Sequence, residues 1–210
     1  MCGISGIISI GDWAFDPEAA LSHMSIALKE RGPDSEGTYL DSSKGVGLAH
    51  RRLAIFDPTE SGAQPMTSTS GRYTLVFNGA IYNFIEIRQK LEHLGHVFRS
   101  DTDTEVILAS YKEYGKSCVD YFDGMFAFTI WDNDKQMLFG ARDRFGEKPF
   151  FYFKDKSQFS FASEMKALFS IEIPKIPSKS MIYNYLVYDV VENPHDKTES
   201  FYEGIYEIPP

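Results

Sequence analysis

The chain has 210 residues, 43% of them hydrophobic with 17 Phe and 12 Tyr, and a formal net charge of −9 at pH 7. That length makes one large domain or two small ones, and the acidic balance argues against a nucleic-acid or anionic-membrane surface. The two cysteines, Cys2 and Cys118, argue against a disulfide framework, and no apolar stretch has spanning length, so a cytoplasmic protein without a membrane partner is expected.

Ile4–Ile10 reads as a buried strand. Asp16-Pro17-Glu18 supplies an N-cap, a first-turn proline and an early acid for a helix. Leu21, Met24 and Leu28 follow at helical spacing, and Arg31-Gly32-Pro33-Asp34 ends it. Val46–Ile55 and Tyr73–Phe77 read as strands, the second closed by Asn78-Gly79. Asn83 with Glu86 resembles a capping pair for a helix carrying Phe84, Ile87, Leu91 and Leu94, stopped by Gly95. Thr102 with Glu105 caps another, holding Val106, Ile107, Tyr111 and Tyr114. Met125–Trp131, Met137–Ala141, Phe150–Phe153 and Phe159–Ala162 are short aromatic-rich strands separated by turns, and Ser163–Phe169 and Met181–Val191 are candidate short helices. Hairpin connections with helices packed outside predict an α+β layered fold of antiparallel sheets. The tail, Tyr206 to Pro210, carries no terminating signal, so a longer protein is expected.

The most informative position is the second. An initiator Met1 before a small residue is normally trimmed, which would give Cys2 a thiol and a free α-amine together. The amine, with a reference pKa of about 7.7–8.0, can take the proton of a thiol whose free pKa is about 8.5. That pairing is a known route to an activated nucleophile. The bland alternative is a small apolar residue at the start of a strand.

An amide-cleaving cysteine also needs oxyanion donors and groups that hold the far end of the substrate. Asn78-Gly79 could donate a side-chain and a backbone N–H to one oxygen, or could be a plain hairpin turn. Arg52, beside Leu53-Ala54-Ile55-Phe56, could hold a carboxylate bidentately, or be a surface arginine or part of a structural ion pair. Asp103 could hold an ammonium or cap a helix. No metal is expected. Asp101-x-Asp103-x-Glu105 has Val106 and Lys112 where a calcium loop wants Gly and Glu, and the five histidines show no zinc spacing with the cysteines. A phosphate-binding loop is missing too. Cys118 reads as core, and Arg142 to Pro149 as a charged turn, either solvated or a docking surface for another domain.

Nine pieces in order resemble the glutaminase domain of class II glutamine amidotransferases, most closely those of asparagine synthetases. They begin with Met1-Cys2-Gly3-Ile4-Ser5-Gly6, Arg31-Gly32-Pro33-Asp34, His50-Arg51-Arg52-Leu53-Ala54-Ile55 and Gly62-Ala63-Gln64-Pro65. Asn78-Gly79-Ala80-Ile81-Tyr82-Asn83, Thr102-Asp103-Thr104-Glu105 and Gly124-Met125-Phe126-Ala127-Phe128 follow. Arg142-Asp143-Arg144-Phe145-Gly146 and Ser163-Glu164-Met165-Lys166-Ala167-Leu168 complete the set.

The resemblance implies one amidotransferase domain over residues 1–210, with the N-terminal-nucleophile hydrolase fold, a four-layer αββα sandwich of two antiparallel sheets. It implies hydrolysis of L-glutamine through a thioester on Cys2, with Asn78 and the Gly79 N–H as oxyanion donors. Arg52 would take the glutamine α-carboxylate, Asp103 its α-amine, and the backbone around Ile55 would line the pocket. Asn83 would orient the thiol side. Ala80 stands where the family usually has Glu, so weaker holding of the α-amine and a raised KM are expected. No cofactor is implied for this domain. ATP and Mg would serve only a C-terminal synthetase domain after residue 210, the implied partner that receives ammonia. A homodimer stays open, as does the final acceptor, with aspartate the default over a sugar acid or a peptide. Competing expectations are a degenerate, non-catalytic docking domain and an N-terminal-nucleophile amidase for another amide.

Overall fold

The computed structural model describes residues 1–54 and 60–210. Its strands are β1 (Gly3–Ser9), β2 (Ser35–Asp41), β3 (Val46–Arg52), β4 (Met66–Thr67), β5 (Tyr73–Ile81), β6 (Gly124–Asp132), β7 (Met137–Arg142), β8 (Phe151–Lys154), β9 (Gln158–Ala162) and β10 (Ile205–Glu207). Its helices are α1 (Pro17–Ala27), α2 (Phe84–His93), α3 (Asp103–Tyr114), α4 (Met165–Phe169) and α5 (Lys179–Tyr188).

One sheet has six strands in the order β10-β8-β9-β1-β3-β2, the other four in the order β4-β5-β6-β7, and the neighbours pair antiparallel. The period of two along each strand sorts its side chains into separate cores. Ile4 of β1 and Val46 and Leu48 of β3 meet Val76 of β5 and Ala127 and Trp131 of β6 between the sheets. Ile7 faces the other way, onto Met24 and Leu28 of the α1 segment and Ala167 and Leu168 of α4. On the second sheet Leu75, Phe77, Phe126, Phe128 and Ile130 pack outward against α2 (Ile87, Leu91) and α3 (Val106, Ile107, Tyr111). The layers are therefore helix, sheet, sheet, helix, the expected αββα sandwich.

Local signals set the ends of the elements. Asp16 accepts from Glu18 N–H at 3.0 Å to start α1, and Thr102 Oγ1 from Glu105 N–H at 3.4 Å to start α3. Asn83 precedes α2 but makes no capping bond with its side chain. The structure extends or corrects the sequence reading in several places. β2, β4 and β10 were not foreseen. Asn78-Gly79 does not close a strand: both lie inside β5, opposite Ala127 and Phe126 of β6. The segment from Arg142 to Pro149 is a turn that is only partly solvated: Arg144, Phe145 and Glu147 are exposed, whereas Asp143 and Lys148 are buried. Asp143 is 1% exposed, and its carboxylate accepts N–H groups from Phe126, Phe145, Glu147 and Lys148 at 3.0–3.2 Å. Among the described residues no helix is long and apolar enough to cross a membrane.

Candidate active site

Cys2 stands at the head of β1, a central strand, and its position is fixed on three sides. Ile4 N–H donates to Ser163 Oγ at 3.0 Å and Ser163 N–H to Ile4 O at 2.9 Å. Arg31 Nε donates to Cys2 O at 2.9 Å while its Nη1 pairs with Glu164 Oε1 at 2.9 Å. Leu53, just beyond β3, completes the setting: its N–H points at Cys2 Sγ at 3.5 Å and its carbonyl accepts the thiol at 3.7 Å.

The opposite wall is β5. Its even residues face the first sheet, so Asn78 and Ala80 share one side of the strand. Asn78 is 1% exposed, and its Nδ2 has no hydrogen-bond partner among the described residues. Backbone polarity supplies a second donor. Phe77 N–H donates to Gln64 Oε1 at 2.6 Å and Ile81 N–H to Asp103 Oδ2 at 3.0 Å, both on the edge of β5 away from β6. N–H groups alternate sides along an antiparallel strand, so the Gly79 N–H between them points to that same edge. Gly79 has no room for a side chain: a Cβ there would lie 2.2 Å from Met125 O.

Between these walls lies a cleft of about 120 Å³ whose lining includes Met1, Cys2, Arg52, Leu53, Gln64, Asn78, Gly79, Ala80, Asp103 and Lys148. A larger cavity, about 610 Å³, opens between the β4–β5 hairpin and the segment joining α2 to α3, and it holds none of these groups. Chemistry rather than volume marks the site. Burial pushes the Cys2 thiol above its ordinary range, against the Leu53 N–H and the charges of the N-terminus, Arg52 and Arg31. Burial likewise raises the Asp103 carboxyl, although the Ile81 N–H opposes it. The thiol is thus protonated at neutral pH and needs a base to react. Among the described residues no group of three His, Cys, Asp or Glu side chains could hold a metal ion.

Six of the residues singled out in the sequence therefore come together: Cys2, Arg52, Asn78, Gly79, Ala80 and Asp103. Asn83 does not line the cleft, because its amide donates to Tyr121 O at 2.9 Å and accepts Asp123 N–H at 3.0 Å, tying α2 to the loop before β6. Ile55 lies outside the described residues. Arg31, Gln64 and Lys148 were not assigned roles from sequence. Arg31 and Gln64 sit inside matched motifs, whereas nothing local distinguished Lys148 from its charged neighbours. Cys118 is fully buried, and burial pushes its thiol up to about 12.

A family described as a glutamine amidotransferase domain matches residues 1–210. The chain belongs to that family. Within it, this amidotransferase domain is 39% identical over 196 residues to asparagine synthetase [glutamine-hydrolyzing] 1 of Bacillus subtilis, covering 92% of this chain and 30% of the relative. It is 36% identical over 227 residues to a putative asparagine synthetase [glutamine-hydrolyzing] 2 of Methanocaldococcus jannaschii, covering 99% of this chain and 42% of that one. The domain thus spans less than half the length of these relatives. Among solved structures it resembles the glutamine phosphoribosylpyrophosphate amidotransferase of B. subtilis, with a TM-score of 0.67 at 18% identity over 84% of this chain and 45% of that one. That likeness is one of fold, the N-terminal-nucleophile sandwich described above.

Proposed function

We propose that this domain hydrolyses L-glutamine to glutamate and ammonia through a thioester on Cys2. The ammonia then passes to an ATP-dependent synthetase domain that follows in the same chain, and asparagine is the product. The relatives' names support the second step, and the cleft supports the first. The observation that carries the reading is the buried Asn78 Nδ2, unpartnered among the described residues and set with the Gly79 N–H on the wall facing Cys2. A buried donor left unpaired costs about 1–3 kcal/mol, a cost that an oxyanion repays only during reaction.

In this mechanism Met1 has been removed, and the Cys2 amine accepts the thiol proton as Sγ attacks the γ-carbonyl carbon. The carbonyl oxygen becomes an oxyanion held by Asn78 Nδ2 and Gly79 N–H. The amine returns its proton to the leaving nitrogen, the C–N bond breaks and ammonia departs, leaving the thioester. Water, deprotonated by the same amine, attacks the thioester carbon, and the C–S bond breaks to release glutamate. Arg52 holds the α-carboxylate and Asp103 the α-ammonium. Two unpaired cysteines suit a reducing, cytoplasmic setting.

The test is intact mass before and after treatment with a glutamine-like diazoketone. Absence of Met1 and a single adduct, blocked by glutamine and lost in Cys2→Ala, supports the reading. A chain lacking Met1 that takes no adduct refutes it and favours a non-catalytic docking domain.

A further inference from the structure

The cleft holds one more cation than glutamine uses. The substrate brings one carboxylate and one ammonium, while the walls present Arg52 and Lys148 against Asp103. Lys148 is 5% exposed, and among the described residues it forms no salt bridge. Among the described residues its Nζ donates only to Met1 Sδ, at 3.4 Å. The nearby Asp143 makes no ion pair with it: its carboxylate, held in the charged form, is turned to four backbone N–H groups. The Lys148 backbone is pinned from the other side by Arg142 Nε on its carbonyl at 2.6 Å. A buried ammonium has thus been fixed beside the N-terminus, with a thioether as its one side-chain hydrogen-bond partner among the described residues.

Other charged groups near the N-terminus are already engaged. Arg31 spans Cys2 O and Glu164, Glu164 also meets Lys166 Nζ at 2.8 Å, and Asp103, which accepts the Ile81 N–H, is the acid that the reading above gives to the glutamine ammonium. Asp34 accepts the Ala54 N–H at 2.8 Å. Arg52 lies at the end of β3, on the carboxylate-binding side of the reading above.

We propose that Lys148 is a positioning residue for the reacting pair: with Met1 gone, its ammonium faces the Cys2 amine and keeps it neutral and ready to accept the thiol proton. The inference rests on the glutaminase reading only for what that proton transfer accomplishes. A like charge disfavours protonation of a neighbouring amine and favours the thiolate. Met1 Sδ is five bonds from Cys2 N, a span of at most about 6.5 Å, which with the 3.4 Å contact puts Lys148 Nζ within about 10 Å of the amine. At that range, partly screened, the effect is about one pH unit.

The experiment uses protein lacking Met1, verified by intact mass, and follows iodoacetamide alkylation of Cys2 against pH in wild type, Lys148→Met and Lys148→Arg. Lys148→Gln replaces the Met variant if that one is insoluble. Cys118, with its buried thiol pushed up to about 12, serves as the unreactive reference. The alkylation midpoint should rise by about one pH unit in Lys148→Met and return close to wild type in Lys148→Arg. The acid limb of kcat/KM for glutamine should move with it. Superimposed wild-type and Lys148→Met profiles overturn the proposal. So does a shift that Lys148→Arg shares in full, because packing rather than charge would then be responsible. If the profiles separate as expected while wild type hydrolyses no glutamine, the glutaminase reading fails and the role of Lys148 at Cys2 stands.

Discussion

His50 gives the domain a pH-dependent weak point between its two sheets. The ring sits in β3, 1% exposed, with Nε2 3.1 Å from the Phe77 carbonyl of β5. A carbonyl only accepts, so Nε2 carries the proton and Nδ1 is a buried lone pair without a partner among the described residues. Burial, reinforced by the nearby Arg52 charge, lowers the imidazole from 6.5 to about 4, against the Phe77 bond. Since the folded value lies below the unfolded one, stability is full above about pH 6.5. It is lost as pH falls toward 4, where the unfolded chain takes up a proton that the native state refuses. At about 1.4 kcal/mol per pH unit, the loss across the whole window is about 3 kcal/mol, and between pH 6.5 and 5 about 2 kcal/mol.

The perturbation is His50→Gln, which keeps an N–H donor for Phe77 and removes the titration. Urea unfolding at pH 7, 6.5, 5.5 and 5 gives the stability at each point by linear extrapolation. Other groups titrate at the acid end. Asp132 is held low chiefly by its bond to Arg72, whereas burial raises Asp103 and Glu207, so their contributions have opposite signs. The difference between wild type and variant cancels them. Wild type should lose about 2 kcal/mol more than His50→Gln between pH 6.5 and 5. Parallel stability curves for the two proteins would refute the assignment of a neutral buried His50.

Asn78→Ala should lower kcat for glutamine by about 10²–10³ with KM changed no more than a few-fold, since the amide acts on the oxyanion and not on the bound substrate; steady-state ammonia release checks this. Arg31→Lys cannot keep both the Cys2 carbonyl and Glu164 in reach with a single ammonium, so kcat should fall roughly 10-fold with little change in KM. Ala80→Glu adds a carboxylate on the cleft wall near Asp103. It should lower KM for glutamine by roughly 10–100-fold, the worth of one added charge-assisted bond of about 1.5–3 kcal/mol; an unchanged KM would remove Ala80 from the substrate site.

How much of this was legible in the sequence depended on where each structural decision is made. Helices α1 and α3 were readable because Asp16 and Thr102 act on N–H groups within three residues. β2, Ser-Glu-Gly-Thr-Tyr-Leu-Asp, shows no apolar alternation because it is an edge strand, held by its ladder to β3 alone. Asn78-Gly79 carries the signature of a turn, but pairing with Ala127 and Phe126 overrides it. The Asn83 capping signature failed in the same way, its amide drawn to Tyr121 and Asp123. At the site, residue types named the chemistry: a thiol, an amide, a cation and an acid. Sequence could not say which backbone donor would be left open. That follows from two distant side chains, Gln64 and Asp103, which occupy the N–H groups of Phe77 and Ile81. The Gly79 N–H is singled out by what its neighbours have already bonded, and Lys148 by a cleft that only the folded chain closes around it.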